Sequence, residues 1–403
     1  MHIAYTPEQE ELRRELRAYF DKLLTPERRE ALASNQGEYG SGNVYRETVE
    51  QMGADGWLAL GWPKEFGGQD RSVMDQLIFT DEAAIAGAPV PFLTINSVAP
   101  TIMHFGTDEQ KKFFLPKIAA GKLHFSIGYS EPGAGTDLAS LRTSAVRDGD
   151  DYIVNGQKMW TSLIEYADYI WLAVRTNTEV KKHRGISMLI VPTTAEGFSY
   201  TKVRTMAGPG TSATYYQDVR VPVTSRVGEE NAGWKLVTNQ LNHERVALVS
   251  SAPIITALRE VREWAQNTKG PGGRIIDAEW VQLNLARVHA KAEYLKLINW
   301  ELASTTDAAP SPRRRLGHQG LWYRVGHRGL PPSHGGPRHR RDAAPGLARR
   351  AAARPRRADA PCLLDSHLRR WHQRGATRHH RDDRSWPTRG KPLEGTALQW
   401  ISP

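Results

Sequence analysis

The spacing of apolar residues changes twice along this chain. Leu12, Leu16, Phe20 and Leu23 recur every three or four positions behind Thr6-Pro7-Glu8-Gln9, an N-cap followed by proline at the first helical position. The same period predicts helices from Met74 to Ala86, stopped by Gly87, and from Glu109 to Ala120. Gly61-Trp62-Pro63-Lys64-Glu65-Phe66-Gly67-Gly68 interrupts this region as a loop. From about residue 123 to 230 the pattern becomes that of strands: Tyr152-Ile153-Val154, Tyr169 to Val174, Ile186 to Val191 and Tyr215 to Val221, between Gly, Asn and Pro turns. Asp148-Gly149-Asp150 and Asn155-Gly156 read as hairpin-type turns. Helical spacing returns at Gly233-Trp234-Lys235, runs through Trp264 and resumes from Ile276 to about Ser304. There is no βαβ alternation and no internal repeat. The order predicts an α+β fold, with helices over 1–122, a β domain over 123–230, the start of a second helical domain over 231–310, and no periodic structure over 311–403.

Charge alters this picture in one place. The 403 residues carry a net charge of +10, which invites a nucleic-acid reading. Residues 313–390 alone hold 20 Arg and 8 His against 5 Asp, with no Lys or Glu, so that segment carries +15 and the remainder −5. The body is mildly acidic, and the nucleic-acid reading rests on the basic segment alone. No run approaches the ~20 apolar residues of a membrane span, and no basic start with a long apolar stretch suggests a signal peptide. The lone cysteine, Cys362, excludes a disulfide framework and a cysteine-based metal site. A reducing cytoplasm fits this usage.

The chemistry is concentrated in two stretches. Gly128-Tyr129-Ser130-Glu131-Pro132-Gly133-Ala134-Gly135-Thr136-Asp137 is followed about twenty residues on by Asn155-Gly156-Gln157-Lys158-Met159-Trp160-Thr161-Ser162. Gly and Pro force a tight turn, small residues admit a flat ligand, and Ser130 and Thr136 offer hydroxyls. Alone, Ser-Glu-Pro-Gly would be a surface turn. The two stretches in order and at this spacing resemble the flavin-binding signature of acyl-CoA dehydrogenases. The Gly61-Trp62-Pro63 loop and the α–β–α order resemble the same family, so the likeness covers residues 1 to about 310.

The resemblance implies an acyl-CoA dehydrogenase fold: an N-terminal helical domain, a middle β-barrel-like domain and a C-terminal helical domain, the last incomplete here. It implies FAD as cofactor and oxidation of an acyl-CoA thioester to the trans-2-enoyl-CoA. A carboxylate in a dry site removes the α-proton while the β-hydride passes to flavin N5. Some relatives carry that base in an x-x-Glu-Arg context on a C-terminal-domain helix, which matches Leu241-Asn242-His243-Glu244-Arg245-Val246-Ala247 and makes Glu244 the base. The bland alternative is a helix-surface Glu paired with a nearby cation. Arg245 would support the thioester pocket, or be a surface Arg. Trp160 would pack on the isoalloxazine, or be a core Trp. Ser162 would bond the flavin N5/O4 region, Ile127, Tyr129 and Ser130 would line its pyrimidine side, and Thr136 would meet an acyl-CoA phosphate. Glu131 reads as structural, and no metal is implied.

The run Asn242-His243-Glu244-Arg245-Val246-Ala247-Leu248 looks most like actinobacterial, mycobacterial among them, dehydrogenase subunits of steroid side-chain breakdown. That implies a bulky or branched acyl group and electron-transfer flavoprotein as acceptor. Many relatives have an Arg-x-x-Phe-Gly stretch that reaches a neighbouring subunit's FAD. Gln266 to Arg274 here lacks it, so the resemblance implies a heterotetramer with a homologous chain. Two alternatives stand beside this reading: an acyl-CoA oxidase, and a non-catalytic subunit supporting a partner.

The Arg- and His-rich segment has its own explanation. Trp371-His372-Gln373 has nearly forced codons, and reading one base later over residues 369–381 allows GGGTNEVQRDIIG, which resembles the family's C-terminal signature. The same offset allows VCGTE around Leu321-Trp322-Tyr323-Arg324 and the amphipathic LATEAYRLLMEVLGTAA over 325–341. A frameshift near residues 310–313 accounts for all three, against the plainer alternative of a disordered basic tail. On that reading His379-His380 are not ligands and Leu393-Glu394-Gly395-Thr396 only imitates a C-terminal catalytic Glu. Loss of the last helices should leave Leu283, Val288 and Leu295 facing water, and activity weak or absent.

Overall fold

The computed structural model describes residues 4–33, 43–206, 210–247, 250–270 and 272–307; within it the side chains of 241–247 and 305–307 lie outside the description. The first helical layer contains α1 (Pro7–Leu23), α2 (Pro26–Ala33), α3 (Val44–Ala54), α4 (Val73–Ala86), α5 (Ala99–Phe105) and α6 (Asp108–Ala119). Thr6 caps α1 through a capping box with Gln9, and Leu12, Leu16, Phe20 and Leu23 are its buried face. Thr107 and Gln110 repeat the device on α6. The Gly61–Gly68 loop is closed by a single 3₁₀ turn, Lys64–Phe66. A five-residue π-turn, Thr94–Val98, leads into α5. Helices α2 and α3 escape the apolar-spacing reading because they are short, and α2 buries no residue.

The strands are β1 (Phe125–Gly128), β2 (Ser144–Asp148), β3 (Asp151–Met159), β4 (Tyr169–Arg175), β5 (Ile186–Pro192), β6 (Phe198–Val203), β7 (Thr211–Pro222) and β8 (Arg226–Val227). They form one sheet in the order β6-β7-β3-β2-β4-β5-β8, with β1 parallel to β4. One face of β2, β3, β4, β5 and β7 encloses a single apolar cluster that includes Tyr152, Val154, Ile170, Leu172, Leu189 and Val219. The opposite face of β4 and β5, through Trp171, Ala173, Met188 and Ile190, belongs to the core of the first helical layer. Strands covered on both faces read as continuous apolar runs, which is why β4 and β5 were visible in the sequence.

One predicted turn is a strand. Asp148-Gly149-Asp150 does reverse the chain between β2 and β3, but Asn155-Gly156 lies inside β3. The register slips between Val154 and Gly156, producing a bulge. Asn155 spends its amide on the neighbouring strand, donating to Asp218 at 2.8 Å and accepting from the Asp218 N–H at 2.9 Å. Gly156 has φ +148°, so the dipeptide marks a bulge instead of a hairpin.

Helices return as α7 (Gly233–Ala247), α8 (Ala252–Asn267) and α9 (Glu279–Asp307), against the predicted spans ending at Trp264 and running from Ile276 to Ser304. The α8–α9 connection includes a two-stranded ribbon, Lys269–Gly270 on Gly273–Arg274, where Arg274 pairs with Asp277 at 2.8 Å. Leu283 and Val288 on α9 are 47% and 39% exposed. Leu295 differs from expectation: it is half-buried, because it lies on the side of α9 that carries the buried Ala292, Ile298 and Asn299. The segment 313–390, Cys362 and the proposed frame of the tail lie outside the described residues.

Gly156→Ala tests the bulge. Its Cβ would sit 2.7 Å from the Thr143 Cα at a φ that side chains avoid, so a loss of about 1–3 kcal/mol is expected in urea unfolding.

Candidate active site

The two sequence motifs meet where β1 and β3 leave the sheet. The Met159 N–H donates to the Ser130 carbonyl at 2.8 Å, tying the turn after β1 to the end of β3. One residue back on β3, Lys158 points inward and is fully buried. Its ammonium donates to the Glu131 carboxylate at 2.8 Å and to the Tyr129 carbonyl at 3.1 Å. Glu131 accepts also from the backbone N–H of Arg142 at 2.7 Å and of Thr143 at 2.8 Å. Burial alone would raise the Glu131 carboxyl; the Lys158 charge and these donors outweigh it and hold it below the usual carboxylate range. Burial pushes Lys158 down to about 8, against the pull of Glu131. Glu131 is therefore structural, as its sequence context indicated. Lys158 was missed there; the available signal was a lysine at an inward position of an alternating strand.

Beyond Lys158 the backbone is strained. Trp160 has φ +67° and Leu163 φ +63°, the left-handed region that bulky L-residues avoid. Between them Thr161 exchanges two backbone hydrogen bonds with Ser212 on β7, at 2.8 and 3.1 Å, which fixes the distortion. The Ser162 carbonyl accepts from the Ser126 hydroxyl at 2.8 Å, and its own hydroxyl lies 3.4 Å from that of Thr211. Trp160 is consequently 57% exposed and is not a core residue. A large exposed indole held in a costly conformation presents a flat apolar face beside the turn Tyr129-Ser130-Glu131. Ile127, Tyr129, Ser130 and Ser162 are half-buried in the same neighbourhood, and Thr136 is exposed further along the turn.

A second link joins this turn to α7. The Trp171 indole N–H donates to the Tyr129 hydroxyl at 3.2 Å, and that hydroxyl donates to the Gln240 side-chain oxygen. Gln240 is fully buried. It stands one turn before Glu244, so both residues share a helix face. Glu244 and Arg245 lie on α7, but their side chains are outside the described residues. The Trp171–Tyr129–Gln240 relay leaves no mark in the order of residues beyond the four-residue step from Gln240 to Glu244. Among the described residues no group of three or more His, Cys, Asp or Glu could hold a metal ion, and no helix is long and apolar enough to cross a membrane.

This arrangement matches known proteins across most of the chain. The acyl-CoA dehydrogenase N-terminal, middle and C-terminal domain models match residues 6–122, 126–219 and 231–317. The chain belongs to the acyl-CoA dehydrogenase family. It is therefore an oxidoreductase, of a family whose members are flavoproteins. It is 82% identical over 320 residues to acyl-CoA dehydrogenase FadE26 of Mycobacterium tuberculosis, covering 77% of this chain and 80% of that protein. Its fold is similar to a chain of the crystallised ChsE4-ChsE5 complex from Mycobacterium tuberculosis, with TM-score 0.73 and 80% identity, covering 79% of this chain and 81% of that one. It is similar also to a chain of the Tcur3481-Tcur3483 steroid ACAD, with TM-score 0.71 and 48% identity over 76% and 78% of the two chains. The two structural neighbours are both heteromeric complexes.

Replacing Lys158 with Met should cost about 3–5 kcal/mol, because Glu131 would remain as a buried unpaired charge. Lys158→Met with Glu131→Gln should recover part of that loss. The depressed Glu131 pKa contributes stability above pH ~4.5 that disappears as pH falls through its lower folded value; Lys158→Met should flatten this acid limb. Thermal melts of the parent and the two variants across pH 3–7 measure both effects.

Proposed function

We propose that this chain is the base-bearing subunit of an FAD-dependent acyl-CoA dehydrogenase that converts a bulky or branched acyl-CoA, of the steroid side-chain kind, to its trans-2-enoyl-CoA. The observation that carries this reading is the junction of β1 and β3, where a buried ion pair and the Met159–Ser130 hydrogen bond hold an exposed, strained Trp160 beside a small-residue turn. That donor set suits a flat, polar-edged ring: the indole of Trp160 against one face, with Ser162, Ser130, Tyr129 and Ile127 along the edges. Thr136, exposed on the turn, is offered to a phosphate of the acyl-CoA, and Arg245 to the thioester pocket. The flavin supplies an acceptor for the β-hydrogen as hydride. Glu244 takes the α-proton onto a carboxylate oxygen. The relay from Trp171 through Tyr129 to Gln240 ties the helix bearing Glu244 to the turn that would line the ring.

The partner is a homologous chain in a heterotetramer, by analogy with the two heteromeric neighbours and because Gln266 to Arg274 has no Arg-x-x-Phe-Gly. Electron-transfer flavoprotein is the electron acceptor, and the cytoplasm the compartment, in keeping with the single cysteine. The divisions near residues 122, 230 and 310 mark three successive domains. The text from about residue 311 onward is a frameshifted reading of the remaining C-terminal helices; Trp280, Leu283 and Leu297 on α9 are exposed apolar residues that those helices would cover.

Glu244→Gln should lower turnover by about 10²–10⁴-fold with flavin content unchanged. An unchanged rate would favour a supporting subunit, and stoichiometric peroxide under air an oxidase. Sequencing the gene from codon 300 to its stop tests the frame. With the frame restored, the chain should gain stability on the scale of ~25 cal/mol per Å² of apolar surface recovered and should retain FAD through gel filtration.

A further inference from the structure

Helix α4 is gripped from two sides by adjacent carboxylates. Glu82, almost fully buried, takes Arg13 at 2.8 Å and Arg17 at 2.8 Å, both from α1. Asp81, also buried, is turned toward the start of α8. Its Oδ1 accepts the Ser250 hydroxyl at 2.5 Å. That same Ser250 oxygen accepts the N–H of Ala252, the first residue of α8, at 3.0 Å, so the residue just before the helix's N-cap Ser251 is itself held by a side chain of the first helical layer. Helix α4 packs against both α8 and α9, and beside those contacts a cleft of about 750 Å³ opens, lined among others by Arg13, Glu82, Arg259, Glu293 and Lys296. Near the cleft the layers meet through the Tyr5–Trp300 hydrogen bond at 3.1 Å and the small apolar cluster of Leu77, Trp300 and Ala303. The Asp81–Ser250 hydrogen bond joins these contacts at the start of α8.

Its place in the chain gives it a role. Helix α7 ends at Ala247 and α8 begins at Ala252, so a fixed α8 start leaves little freedom to the last turn of α7, which carries Glu244. The other side of that turn is anchored by Gln240 on Tyr129. We propose that Asp81 is a positioning residue for the reaction: with Gln240 on one side and Ser250 on the other, it suspends the Glu244-bearing turn between two buried side-chain links, one to the β1 turn and one to α4. The inference rests on the reading of Glu244 as the base. Burial pushes the Asp81 carboxyl up to about 6, with the Ser250 hydroxyl, Arg13 and Lys296 pulling it down and Glu82 adding to the rise. At pH 7.5 it is ionised, and its bond to the hydroxyl is charge-assisted.

Hydrogen exchange with mass spectrometry on the full 403-residue chain at pH 7.5 tests this without requiring turnover. In Asp81→Ala, peptides spanning residues 240–258 should exchange about 10-fold faster, while α1, held by Glu82, and β4 keep their rates. Ser250→Ala should reproduce that local pattern, and Asp81→Asn, which keeps an acceptor oxygen, should stay within about 3-fold of the parent. Unchanged exchange in Asp81→Ala, or acceleration spread evenly along the chain, would overturn the proposal. Glu244→Gln probes the other reading separately. Full activity in that variant would remove Glu244 as base and leave the exchange result standing.

Discussion

Everything proposed for the site depends on one buried ion pair. Lys158 and Glu131 are brought out of water together, which is costly for each charge alone. They persist because each is further satisfied: Lys158 by the Tyr129 carbonyl, Glu131 by two backbone N–H groups that open β2. Four segments are thereby fastened at one point: the turn after β1, the end of β3, the loop before β2 and, through Tyr129, helix α7. The strained backbone at Trp160 follows two residues after Lys158 and is held by the fixed positions of Lys158 and Thr161 on either side of it.

The architecture was legible because its signals are local and periodic. The buried stripe of α1, the paired burial of β4 and β5 and the return of helices after Gly233 each leave a mark in the order of apolar residues. The pair of motifs located the site for the same reason: tight turns demand Gly and Pro. What could not be read depends on contacts between distant segments. Asn155-Gly156 has the composition of a hairpin, and only the presence of Asp218 across the strand turns it into a bulge. Glu131 gave a structural reading, but its partner lies 27 residues away. Gln240 and Asp81 are ordinary polar residues in helices until Tyr129 and Ser250 are seen to face them.

The charge of the chain teaches a related lesson. A net +10 describes no surface of the body, which is acidic up to residue 312. Composition averaged over the chain would have pointed to nucleic acid; distribution along it confines the positive excess to residues 313–390. Helix α9, with Trp280 and Leu283 exposed, is consistent with a surface written to be covered.

Strand β4 has a consequence for how this molecule comes apart. Its alternate residues belong to different interiors: Ile170, Leu172 and Val174 to the cluster enclosed by the sheet, Trp171 and Ala173 to the core beneath the first helices. A single strand is thus the shared wall of two rooms. The helical layer cannot be peeled away without wetting an indole with no exposed surface, and the sheet cannot be excised without stripping the helices of their floor. The units that sequence comparison recognises as successive domains are, for the first two, one object in the physics of melting.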